Sequence, residues 1–378
     1  MTRRERVVRA INHQEPDYVP LDLGGGGAGM LDLTYYKMME HLGFEEDGST
    51  VVIPTSCTIQ YYDERLLSYL DTDFRRIYLK SPYKTQARRF DDGRFKDDWG
   101  ITFKRSGLYS CIVEHPLRDM DARDLDNYTW PDPDDPGRVR GIEDEAKHLY
   151  HNTDFAVVAG APVMGTFMQA CRLRGMEDFL VDLMINQEFA NKLLDIIADI
   201  TIGLMDAFLS RIGKYVQIVQ IQDDLGTQSA PLMSPDIYRK MIKPRHGRII
   251  AAIKRHTDAK IYMHSDGAIF DLIPDLIDAG VDILNPVQPL AAGMDSHRLK
   301  EAFGDRLCLH GGIDQQQVLA FGTPADVEEE VRKRIQALGP GGGYIIAPSN
   351  NLQPDASPEN IIALFRAARK WGKYPISR

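Results

Sequence analysis

Short apolar runs along the second half of the chain each end in polar residues, and a helical pattern follows each one. Residues 215–222 run into Asp223 and Asp224, 260–263 into His264-Ser265-Asp266-Gly267, and 281–284 into Asn285-Pro286. Residues 307–309 run into His310-Gly311-Gly312, and 344–347 into Pro348-Ser349-Asn350. Strands alternating with amphipathic helices predict a parallel sheet. The expected fold class is α/β: a single (β/α)8 TIM barrel over residues 1–378, with its chemistry at the mouth where the strand C-termini meet.

The first half is less regular. Residues 1–14 read as a helix, and 19–23 as a first strand entering Gly24-Gly25-Gly26-Gly27-Ala28-Gly29. A glycine run after a strand suits a phosphate cradle, room for a bulky ligand, or a plain flexible loop. It lacks the Lys-Ser/Thr and GxGxxG spacings that would select the first. Residues 71–118 contain short β-rich pieces with a turn at Asp91-Asp92-Gly93, and are expected to form an insertion or lid beside the barrel. From Phe155 onward the rhythm is steady. Residues 156–160 predict a strand and 176–211 one or two long helices. Ser234-Pro235, Thr323-Pro324 and Ser357-Pro358 are helix starts, each a hydroxyl N-cap before proline at the first helical position. After Thr323, Val327, Val331, Ile335 and Leu338 form one apolar face.

Alternation sorts the strand-end side chains by face. Gln220, Gln222 and Asp224 share one face; Tyr262, His264 and Asp266 share another; Cys308 and His310 a third. Placing these sets in the lumen makes Gln222, Asp224, His264, Asp266 and His310 converge. The bland alternative, ordinary turn residues at strand ends, weakens as the pattern repeats on successive strands. A His, a carboxylate and a second His suit a divalent metal with an open position, so His264, Asp266 and His310 are the expected ligands and zinc the expected ion. The same groups also suit acid–base work, with His264, Asp224 and His310 as catalytic candidates. Asp223 and Asp224 are adjacent and face opposite ways, so Asp223 is expected to brace a loop. Asp314 is expected to cap the next helix. Gln222, Tyr262, Asn285, Asn350 and Met164 are the expected substrate-binding residues; packing is the rival reading for Met164, Phe167 and Met168.

Composition narrows the class. The 378 residues are 43% hydrophobic and 26% charged, with a net charge of −10. That balance, without a basic cluster, argues against nucleic acid as a partner. No run reaches the ~18 apolar residues of a membrane span, and the basic N-terminus lacks the apolar core of a secretory signal. Cys57, Cys111, Cys171 and Cys308 are widely spaced and form no CxxC, which fits a reducing cytoplasm.

Several segments also resemble the uroporphyrinogen decarboxylase superfamily, which includes cobalamin-dependent methyltransferases. They are Arg9-Ala10 with Pro16-Asp17-Tyr18-Val19-Pro20, Asp223-Asp224-Leu225-Gly226, Ser234-Pro235 with Lys243-Pro244, and His264-Ser265-Asp266-Gly267. Further matches are Asp282-Ile283-Leu284-Asn285-Pro286, His310-Gly311-Gly312-Ile313-Asp314 and Gly341-Gly342-Gly343-Tyr344. The resemblance implies one barrel with its site at the C-terminal mouth. True uroporphyrinogen decarboxylases carry an arginine-rich segment after the first strand; residues 23–30 here contain no arginine. Thiol-methylating branches hold zinc with His-x-Cys and a later cysteine; here the motif is His264-Ser265-Asp266, and the later position falls at Asn350. What remains resembles methyltransferases that move a methyl group from a small donor, such as an aromatic methyl ether, to a corrinoid carried by a partner protein. The implied partners are that corrinoid protein and a small methylated substrate, with a homodimer left open. Two rivals stand beside this reading. One is a cofactor-free decarboxylase of another polycarboxylate, needing cationic anchors such as Arg172, Arg174 or Arg245. The other is a barrel that binds a corrinoid or tetrapyrrole without turnover.

Overall fold

The computed structural model describes residues 1–25, 27–84 and 87–376, so Gly26 of the glycine run and residues 85 and 86 of the expected insertion lie outside the described residues. Seven strands form one sheet in chain order: β1 (Phe74–Ile77), β2 (Ala156–Ala159), β3 (Ile218–Gln222), β4 (Lys260–His264), β5 (Ile283–Val287), β6 (Cys308–Ile313) and β7 (Tyr344–Pro348). Every pairing between neighbours is parallel. Residues 19–23 fill the gap between β7 and β1. Leu21 bridges in parallel to Ile346. Asp22 N–H donates to the Ile346 carbonyl at 3.0 Å, and Asp73 N–H donates to the Leu21 carbonyl at 2.9 Å. With this segment as the remaining stave, the sheet closes as the (β/α)8 barrel expected from the strand–helix rhythm.

The lumen has two layers. Phe74, Val158, Ile218, Tyr262, Ile283, Cys308 and Ile345 form an apolar cluster with Val7 and Ile11 of the Arg3–Ile11 helix, which closes the bottom. Two residues further along several of these strands the lumen turns polar, at Arg76, Gln220, His264, Asn285 and His310. The opposite faces, including Val219, Ile221, Ile261, Met263, Leu284, Leu309 and Ile346, join the main core under the helices. The helix starts behave as their sequences require. Thr323 and Asp326 form a capping box, and Val327, Val331, Ile335 and Leu338 are buried behind it. Ser234 and Ser357 each accept from a backbone N–H of the first turn. The 176–211 region is two helices, Met176–Ile185 and Gln187–Ile212, parted at Asn186. Among the described residues, no helix is long and apolar enough to cross a membrane.

One boundary is corrected. The 71–118 region begins with β1, a barrel strand, so the insertion proper is shorter. It is an antiparallel four-stranded sheet of Arg88–Arg89, Arg94–Lys96, Thr102–Ser106 and Tyr109–Glu114. The sequence Phe-Arg-Arg-Ile hides β1 because both of its faces carry charge. Arg75 is matched by Glu64 on the outside and Arg76 by Asp22 inside.

Asp223 shows how a strand tip sets a helix. Its fully buried carboxylate accepts from the N–H groups of Thr166, Phe167 and Met168 at 3.0, 2.9 and 2.7 Å, from the Thr166 hydroxyl at 3.1 Å, and faces His246 Nε2 at 3.0 Å. The negative charge sits at the positive end of the Thr166–Arg174 helix. Asp223→Ala leaves these donors buried and unmatched, so unfolding free energy should fall by about 3–5 kcal/mol in denaturant titration.

Candidate active site

At the end of β4, the His264 ring is buried and its Nε2 faces two carboxylates: Asp224 Oδ1 at 3.5 Å and Asp266 Oδ2 at 3.9 Å. One donor atom from each of these residues lies within 4.8 Å of the other two. Asp266 is held by the amide groups of Gln288 (2.9 Å) and Asn350 (2.7 Å), and its own N–H donates to Asp224 at 3.2 Å. Burial alone would depress the His264 pKa, but Asp266 and Asp224 raise it above the ordinary imidazole value. Burial, reinforced by the Asp224 charge, pushes the Asp266 carboxyl up to about 6 despite the nearby imidazole.

Behind His264 runs a buried polar chain. His264 Nδ1 faces Asn285 Oδ1 at 2.7 Å, and Asn285 Nδ2 faces His310 Nδ1 at 2.8 Å. His310 Nε2 faces Asp22 Oδ2 at 2.8 Å, and Arg76 grips both Asp22 oxygens at 2.9 and 2.5 Å. Burial pushes the Asp22 carboxyl up, yet Arg76 and His310 outweigh it and hold the group well below the carboxylate range. Burial depresses the His310 pKa, favouring the neutral ring. Both nitrogens of His310 are thus committed, and it stands apart from the Asp224–His264–Asp266 group. Asp224, rather than His310, completes the candidate cluster with His264 and Asp266.

The other expected site residues divide. Gln222 donates to Met164 Sδ at 2.9 Å and to the Val163 carbonyl at 3.3 Å, which places both Gln222 and the half-buried Met164 at the mouth. Tyr262 lies in the apolar layer, edge-on to His310 at 5.1 Å, and so supports the site from below. Asn285 and Asn350 spend their amides on site residues. Asp314 accepts from the N–H groups of Gln316 and Val318, as a cap should. The glycine run leaves less room than its sequence suggests. A Cβ on Gly27 would lie 2.0 Å from His264 Cε1, so the missing side chain is the space that the imidazole fills. Sequence reading missed Asp22, Arg76 and Gln288; strand phase offered a signal only for Asp22, on the 19–23 strand.

The Asp224–His264–Asp266 set fits a divalent cation. An imidazole that donates through Nδ1 to an amide oxygen keeps a lone pair at Nε2, and two carboxylates complete a hard N, O, O set. The carboxylates keep 24% and 28% of their side-chain exposure, which leaves an approach from the mouth. A bound cation must displace protons from His264 and Asp266. Zn2+ affinity should therefore rise with pH through about 6, by roughly tenfold per pH unit for each proton displaced. Competition against a chromophoric chelator between about pH 5 and 8 checks this; Asp266→Asn should flatten the profile and weaken binding.

Comparison with known proteins agrees with this fold. The uroporphyrinogen decarboxylase (URO-D) family model matches residues 99–371. The uroporphyrinogen decarboxylase of Alkalilimnicola ehrlichii is 24% identical over 273 residues, covering 68% of each chain. That of Magnetococcus marinus is 23% identical over 270 residues, covering 68% of this chain and 72% of its own. A solved methyltransferase from Methanosarcina mazei superposes with a TM-score of 0.66 at 18% identity, over 98% of this chain and 99% of its own, and so shares the fold. A closed barrel with its polar residues at the C-terminal mouth, matched over this much of its length, belongs to the uroporphyrinogen decarboxylase family.

Proposed function

We propose that this protein is a methyltransferase that moves a methyl group from a small donor, such as an aromatic methyl ether, to a corrinoid carried by a partner protein. The observation that carries the reading is the buried imidazole of His264 between two carboxylates, at a mouth whose Arg76 is already paired with Asp22. When the methyl–oxygen bond breaks, its electrons stay on the donor oxygen and the methyl group passes to the acceptor. The departing alkoxide or phenolate needs a proton. His264 supplies it from Nε2, while Asp224 and Asp266 stabilise the imidazolium before transfer. A zinc ion held by Asp224, His264 and Asp266 would supply the same assistance as a Lewis acid. Gln222 and Met164 line the approach, and Gly27 lies against the imidazole ring.

The decarboxylase alternative needs cations free to grip substrate carboxylates. Two of its three candidates are committed elsewhere. Arg174 pairs with Asp182 at 2.8 Å and donates to the carbonyls of Leu117, Arg118 and Met120. Arg245 pairs with Asp195 at 2.8 Å and donates to the Met241 carbonyl. Arg172 stacks over Phe103 of the insertion at 5.1 Å. In the lumen, Arg76 is matched by Asp22. Among the described residues, Arg76, Arg174 and Arg245 are therefore already paired and not free to grip a substrate carboxylate.

Incubation with a reduced corrinoid protein and a panel of methyl ethers, methylamines and methyl thioethers should release a demethylated product, detected by chromatography. His264→Ala should slow release by roughly 10²–10⁴-fold, the scale of lost general acid catalysis, while the barrel stays folded. No product from the whole panel, or coproporphyrinogen formed from uroporphyrinogen at an enzymatic rate, would contradict the proposal.

A further inference from the structure

Hydrogen bonds have a direction, and the buried chain ending at His264 has two self-consistent ones. The Asp22 carboxylate only accepts, so the His310 Nε2 facing it at 2.8 Å carries a hydrogen in both. If His310 is neutral, its Nδ1 is a lone pair and accepts from the Asn285 amide nitrogen at 2.8 Å. The Asn285 oxygen then points to His264 Nδ1 at 2.7 Å, and because it only accepts, that nitrogen is an N–H. Nε2 of His264 is left facing Asp224 and Asp266, ready for a proton or a cation. If His310 is instead an imidazolium, the links beyond it reverse. The Asn285 oxygen accepts from His310, its NH2 donates to His264 Nδ1, and the single hydrogen of a neutral His264 moves to Nε2, where it blocks a cation.

Charge selects between the two. Arg76 already neutralises Asp22 through two hydrogen bonds, and the side chains of Arg76, Asp22 and His310 are only 6%, 1% and 1% exposed. A protonated His310 would add an uncompensated charge to a buried lumen, beside the neutral Asn285 and the edge of the Tyr262 ring. Without Arg76, Asp22 would be the unpaired charge, and His310 would be the nearest group able to match it.

We infer that Arg76 is a positioning residue: by neutralising Asp22 it fixes the direction of the Asp22–His310–Asn285–His264 chain and so presents Nε2 of His264 to the gap between Asp224 and Asp266. It touches none of the reacting atoms. The inference rests on the reading of His264 as the reaction centre, but its central test needs neither substrate nor metal.

Long-range 1H–15N spectra of metal-free protein labelled at histidine, at about pH 8, report which ring nitrogen carries hydrogen. His264 should show hydrogen on Nδ1 and His310 hydrogen on Nε2 alone. Arg76→Met should move the His264 hydrogen to Nε2 and weaken Zn2+ binding at least tenfold. The double variant Arg76→Met with Asp22→Asn removes both charges and keeps an acceptor for His310, so it should restore the original tautomer and most of the Zn2+ affinity. Loss of packing alone would leave the double variant no better than the single one. An Nε2–H tautomer in the unaltered protein, an unchanged tautomer in Arg76→Met, or no recovery in the double variant would overturn the inference. The expected spectrum together with a failed methyl-transfer assay would sink the functional reading and leave the positioning role standing.

Discussion

The ion pair between Arg76 and Asp22 is the constraint on which the mouth of the barrel depends. Asp22 lies on the segment that closes the barrel, hydrogen-bonded through its backbone to β7, and Arg76 projects from β1 on the other side of the seam. The pair therefore joins the two staves where regular sheet pairing is thinnest. Buried ion pairs offset a large desolvation cost, and removing one partner typically costs about 3–5 kcal/mol. Here that cost places a fixed negative charge, already balanced, beneath two histidines. His310 takes its orientation from Asp22, Asn285 from His310, and His264 from Asn285.

Much of this was legible in the sequence because strand phase is a strong constraint. His264 and Asp266 sit two residues apart, and the β3–β4 register pairs Gln222 with His264, so the polar tips converge once the strands are parallel. Arg76 escaped because its strand has no clean alternation and its charge is cancelled by a residue 54 positions away. Gln288 escaped because it stands one residue past the end of β5, where phase no longer counts. Asn285 and Asn350 had the residue type expected of substrate contacts, but their amides are consumed by His264, His310 and Asp266. The contact between Gly27 and the His264 ring joins two loops far apart in sequence, and no local pattern encodes it.

The candidate donor set at the mouth is one imidazole and two carboxylates. Nitrogen and carboxylate oxygens make a hard site, suited to assisting an oxygen leaving group and poorly suited to activating a thiol. The glycine loop and the chain behind His264 then act on one ring from two sides. The loop restricts where the imidazole can lie, and the hydrogen bonds restrict which nitrogen faces outward.

X-ray absorption at the zinc edge of the metal-loaded protein tests that account most directly. The expected first shell contains only nitrogen and oxygen, with the multiple-scattering signature of a single imidazole, and both the imidazole and the bound zinc are lost in His264→Ala. A sulfur scatterer, a second imidazole, or full zinc occupancy in His264→Ala would contradict it.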